Sequence, residues 1–176
     1  IDAGSGSLTA DMSGVTGAVS TGAMDAAGTI TYTASTTGAN TLAQIDAKNV
    51  VINATDAIGG LSFTGGATDD IVAGSSVTIN GPTVSATDVD IKASATATAL
   101  TVDFTGGILA DTVEVLGTTT VKTITVTGDA GLGTDVYKVT LADYGTDTST
   151  VTVDLSGIVA DTTTQSAVTI DIDGDV

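Results

Sequence analysis

From residue 50 onward the chain keeps repeating one phrase: two aliphatic or aromatic residues around a single intervening residue, then a cluster of Gly, Asp, Thr and Ser. It reads Val50-Val51-Ile52, Leu61-Ser62-Phe63, Val77-Thr78-Ile79, Val89-Asp90-Ile91 and Leu100-Thr101-Val102. It continues as Val113-Glu114-Val115, Ile124-Thr125-Val126, Val139-Thr140-Leu141, Val151-Thr152-Val153 and Val168-Thr169-Ile170. A period of two marks a strand with one buried and one solvated side, and the turn formers around it keep each run short. From Leu61 on, successive runs begin 11 to 17 residues apart. Short strands at such spacing fit either a two-sheet sandwich or a solenoid of stacked coils.

The inward side chains favour the solenoid. They are mostly Val, Ile and Leu; aromatic residues make up 3% of the chain and Trp is absent. A sandwich core is usually organised around a large anchor, whereas stacked coils need only medium aliphatics lying one above another. The 22 glycines and the single Pro82 suit tight corners made repeatedly. The expected fold is therefore all-β, an irregular parallel β-solenoid (β-helix) with short strands over residues 46–176. An antiparallel β-sandwich is the alternative. Residues 1–45 are rich in Gly, Ala and Ser and read as a loosely β entry segment. Within it Ile30-Thr31-Tyr32 is an expected strand, and residues 41–46 form a helical turn or a strand entry.

Charge narrows the function. The chain carries 21 acidic residues against 4 Lys, a formal charge of −17 over 176 residues. A mean hydropathy of +0.39 separates it from disordered acidic chains, which pair high charge with low hydrophobicity. Nucleic acid is excluded as an expected partner, because phosphate binding needs clustered Lys and Arg. Of the acids, 20 are Asp and only Glu114 is Glu. Asp favours turns, where its short carboxylate bonds nearby backbone N–H groups, and it is a common ligand of hard cations. Without His or Cys the chain has neither a Zn or Cu site of the usual N/S kind nor a Ser–His or Cys–His nucleophile. No stretch approaches the ~18–20 apolar residues of a membrane helix. The start at Ile1-Asp2-Ala3 reads as a piece of a longer protein whose targeting signal lies elsewhere.

The turns repeat a motif as well. Gly66, Gly107 and Gly157 are each followed four residues later by Asp, at Asp70, Asp111 and Asp161. A longer turn, TGDAGLGTDVY, carries Asp129 after Gly128 and Asp135 after Gly133. Glycine turns the backbone cheaply and exposes carbonyls, and Asp supplies negative oxygens. Together they can build the oxygen-only cage that Ca²⁺ requires. Asp69, Asp70, Asp111, Asp129, Asp135 and Asp161 are the candidate metal ligands, and at each turn the competing role is an unaided cap on backbone N–H groups.

Residues 65–72, GGATDDIV, and 106–113, GGILADTV, resemble the repeats-in-toxin (RTX) motif G-G-x-G-x-D-x-U-x, in which calcium binds between coils. Thr68 and Leu109 stand where that motif has its third Gly. Together with phrases such as LTADMSG (8–14), VKTITVTGDAG (121–131) and STVTVDLSGIVAD (149–161), the chain is similar to bacterial surface-layer proteins of the RTX-like, type I-secreted kind. That resemblance implies a secreted structural component of a calcium-stabilised, self-assembling layer on the bacterial cell surface. Polysaccharide contact would then fall to other parts of the protein. The alternative is a repeat module of a large secreted adhesin.

An enzyme is not expected. Asp88 and Asp90 form a carboxylate pair on one strand face, the geometry of solvation more often than of glycoside hydrolysis. Tyr32, Tyr137 and Tyr144 read as packing or contact residues. The terminal Asp171-Ile-Asp173-Gly-Asp175 resembles the opening of an EF-hand loop but lacks its sixth-position Gly.

Overall fold

The computed structural model describes residues 1–65, 69–82, 87–105, 112–128, 136–141, 152–154 and 167–172, the side chains of 141 and 167–172 excepted. None of the described residues is helical. The strands are β1 (Leu8–Asp11), β2 (Val19–Ser20), β3 (Met24–Thr33), β4 (Asn40–Leu42), β5 (Ile45–Asn53), β6 (Leu61–Phe63) and β7 (Ile71–Asn80). They continue as β8 (Asp88–Ala93), β9 (Ala99–Thr105), β10 (Thr112–Leu116), β11 (Thr123–Thr127), β12 (Val136–Leu141), β13 (Thr152–Asp154) and β14 (Ala167–Ile172). Every ladder between them is parallel, and each strand pairs with its counterpart one coil away. The chain is a parallel β-solenoid, as the alternation and the aliphatic inward residues predict.

Three faces wind around one core. Face one runs through the first halves of β3, β5 and β7 and then through β8, β10, β12 and β14. Face two takes β1, the second halves of β3, β5 and β7, and then β9, β11 and β13. Face three is the narrow sheet β2, β4, β6. In the early coils a single long strand crosses from face one to face two through a bulge, where the register slips between Ala26 and Thr29 and between Ala47 and Asn49. After β7 that corner opens into a loop, so β8 and β9 are separate strands, as are β10 and β11. Ala97 and Val121 turn back from these loops into the core.

Parallel register places like beside like. On face one Met24, Ile45, Ile71, Ile91, Val115 and Val139 stack through the coils, all buried. On face two Ile30, Val50, Val77, Val102 and Val126 form one ladder, and Tyr32, Ile52, Ile79 and Phe104 another. Next to the bulge the ladder shrinks to Ala26, Ala47, Ala73 and Ala93, which leaves room for the corner. Each buried aliphatic contributes about 1.5–3 kcal/mol relative to exposure. The core needs no Trp because each rung fills the space above the last.

The ladder crosses residue 45 without a break, since β3 pairs with β5 along both halves. Residues 41–46 are the strand entry of the two alternatives: Thr41 and Leu42 end β4, and β5 starts at Ile45. All ten alternating runs lie in strands, Val151 falling outside the described residues. Pro82 follows β7, where its missing N–H interrupts no ladder.

The outward positions differ between faces. On face two, β3 presents Thr29, Thr31 and Thr33; β5 presents Asn49, Val51 and Asn53; β7 presents Ser76, Thr78 and Asn80. On face one the outward residues include Asp25, Asp46, Asp88, Asp90 and Glu114, with Lys92 and Lys138 among them.

Candidate functional site

The turn leading into β7 carries Asp69 and Asp70. Asp70 is 8% exposed and both of its carboxylate oxygens are engaged. The Gly65 N–H donates to Oδ1 at 2.9 Å, and the Asp90 N–H, one coil on, donates to Oδ2 at 3.0 Å. The Asp70 N–H in turn donates to the Asp90 carbonyl at 2.9 Å. One carboxylate therefore closes its own turn and ties it to the next coil, which is the capping role. Gly65 is required by this closure: a Cβ there would lie 2.6 Å from the Asp70 Cα and 2.8 Å from its Oδ1. Asp69 faces outward, with the Lys92 ammonium 3.8 Å away.

Beyond this turn lies a carboxylate column. Asp90 on β8 is in register with Glu114 on β10 and Lys138 on β12. Lys138 donates to Glu114 Oε1 at 2.9 Å, and the Thr140 hydroxyl donates to the same oxygen at 3.4 Å. The Asp90 carboxyl is raised above its ordinary value, first by burial and then by Asp70, Glu114 and Asp88, with Lys138 opposing. A second pair sits nearer the N-terminus, where Asp25 and Asp46 are register partners on β3 and β5. Burial, and then the Asp25 charge, push the Asp46 carboxyl up. Both line an open groove of about 500 Å³ at the bulged corner, together with Lys48, Gly74, Ser94 and Thr96.

These columns can concentrate cations at the surface. A calcium cage demands more, six to eight oxygens around one point. Among the described residues no three acidic side chains converge in that way, and at Asp70 the oxygens already hold backbone donors. Asp111, Asp129, Asp135 and Asp161 lie outside the described residues, as do residues 66–68 of the first turn. Asp173 and Asp175 also lie outside them; Asp171 is in β14, in register with Thr140.

Asp88 and Asp90 share the outer side of β8, as alternation predicts. Tyr32 and Tyr137 are buried packing residues, and Tyr144 is outside the described residues. The Tyr32 hydroxyl donates to Asn40 Oδ1 at 3.0 Å, within a buried network that sequence reasoning missed. Asn40 Oδ1 also accepts the Ser35 N–H at 2.8 Å. Its amide donates to the carbonyls of Ser35, Gly38 and Gly60 at 3.0, 3.0 and 3.2 Å. The missed signal is a period of 21: Gly17, Gly38 and Gly59 recur at that interval, each two residues before a face-three strand position at Val19, Asn40 or Leu61. The same period places Asp25 beside Asp46.

Comparison with family models, with curated proteins and with solved structures finds no match, so the reading of this site rests on its own geometry.

Proposed function

We propose that the chain is a structural segment of a secreted, self-assembling cell-surface layer, a stiff solenoid whose acidic outer side is neutralised by calcium. The observation carrying this reading is the stacking of carboxylates along face one, Asp25 on Asp46 and Asp70 on Asp90 on Glu114. Like charges one strand spacing apart, about 4.8 Å, repel. A divalent cation bound along the column removes that repulsion and can link neighbouring coils or neighbouring copies. The parallel solenoid supports the structural role, because each coil contacts only its neighbours and the body extends by repetition. Among the described residues no helix is long and apolar enough to cross a membrane.

The test is a calcium titration of the chelator-treated chain, followed by circular dichroism and light scattering. The reading expects a higher melting temperature and a concentration-dependent increase in particle size. An unchanged melt and a monomer at all calcium concentrations would remove the calcium-dependent assembly. A chain that gains stability with calcium yet stays monomeric would fit the adhesin module instead.

A further inference from the structure

We propose that the uncharged plane on face two, formed by the nine outward positions of β3, β5 and β7, is the surface on which a second copy of this chain docks face to face. This rests on the self-assembly reading above and names the surface that performs it. In a chain of formal charge −17, direct contact between two copies without a bridging cation meets least repulsion where charge is missing. None of these nine positions is charged, and the plane is bounded by Asp11 in the coil before and Asp103 in the coil after. Face one is acidic, and face three offers little more than the single outward column Ser20, Thr41 and Ser62.

The plane is also prepared for covering. Asn49 donates to the Thr29 hydroxyl at 3.4 Å and accepts from Ser76 at 2.9 Å. Asn80 donates to Asn53 at 2.9 Å and accepts from Thr105 at 2.8 Å. Polar groups already paired along the column lose less when water leaves. At its centre stands Val51, an aliphatic side chain pointing outward between Thr31 and Thr78. A groove of about 140 Å³ touches this plane at its edge, by Thr33 and Asn53, and is smaller than small-ligand pockets usually are. It spans three rungs and measures roughly 200–300 Å² from strand dimensions. A stable pair buries about 800 Å² per partner, so this contact is weak alone and acts through repetition in an array.

The test uses two double variants, Thr31→Asp with Thr78→Asp and Thr31→Lys with Thr78→Lys. Thr41→Asp on face three is the control. Each is checked for wild-type circular dichroism and then followed by light scattering in calcium. The expected result is assembly of wild type and control, monomers for each double variant, and assembly restored when the Asp and Lys variants are mixed. Double variants that assemble alone like wild type overturn the docking face while leaving self-assembly intact. Wild type that stays monomeric overturns both. Loss of binding to a neutral polysaccharide such as dextran in the Asp variant, with assembly unchanged, would make the plane a glycan surface and overturn the proposal.

Discussion

Replacing Asp70 by Ala separates two roles that one carboxylate can play. In the structure its oxygens receive the N–H groups of Gly65 and Asp90, both at partly buried positions. Removing the side chain leaves two donors without it, at about 1–3 kcal/mol each, so the expected gross loss is about 2–6 kcal/mol. Relief of repulsion on Asp90 returns a small part of this. For a chain of this length the melting temperature should fall by roughly 4–20 °C. The assay is urea and thermal unfolding by circular dichroism, run once in chelator and once in saturating calcium. Capping predicts the full loss in chelator, because the bonds need no metal. Ligation adds a second loss seen only in calcium, equal to the binding stabilisation that the variant forgoes. Asp70→Asn, which keeps one acceptor oxygen, should fall between wild type and Asp70→Ala. A chelator-treated Asp70→Ala chain that unfolds at the wild-type urea concentration would refute the capping argument.

Asn40→Leu should lower stability by about 3–5 kcal/mol, read from urea unfolding, because it strands the Tyr32 hydroxyl and the three carbonyls its amide serves. Gly38→Ala should destabilise as severely, since its Cβ would overlap the Gly17 carbonyl of the preceding coil; proteolysis confined to the first coils would report the local opening. Stability should rise as pH falls from neutral toward about 4. The folded-state carboxyls of Asp90 and Asp46 lie above their unfolded value of 3.8, so the folded chain takes up these protons first and sheds repulsion as pH falls through the raised values. Asp90→Asn should flatten that profile and raise the neutral-pH melting temperature; an unchanged profile would remove Asp90 from the account. Asp11, held below its ordinary value by Ser13, acts in the opposite sense, its contribution being lost at still lower pH.

The strands were legible because alternation is local: Val-Thr-Ile reads as inward-outward-inward wherever it falls. The winding was less so. The 11 to 17 residues between runs are distances from one face to the next, while register partners lie 20 residues apart at Ile30 and Val50 and 31 apart at Val139 and Ile170. A coil holds two alternating runs after β7 but one long bulged strand before it, so no single period spans the chain. Residues 1–45 hid their strands because the inward run of β3 is interrupted at the bulge after Ala26, and Asn40 stands where the next coil has Leu61. Their register shows only in glycines that let backbones approach closely. At the site, Gly65 and Asp70 could be read as turn residues, and a hydrogen bond joins the two. The partner of Asp70 could not be read, because the donor it caps belongs to Asp90, twenty residues away and joined only by coil stacking.

That stacking also explains where the acids can go. Parallel in-register coils place each side chain beside its counterpart, which favours apolar ladders and penalises charged ones. The chain has 21 acids, and among the described residues several are set beside uncharged neighbours. Asp103 stands between Thr78 and Thr127, and Asp46 has Val72 on its far side. The exceptions are informative. Where Asp90 meets Glu114, Lys138 follows in the same column, and where Asp69 enters the turn, Lys92 lies across from it. Asp25 against Asp46 has only Lys48 along its groove. Of the charged columns described, that pair is the least compensated, and added cations should act there first. Stabilisation by calcium at neutral pH should accordingly shrink in Asp46→Asn by more than in Asp69→Asn, a difference that parallel melts in chelator and calcium measure directly.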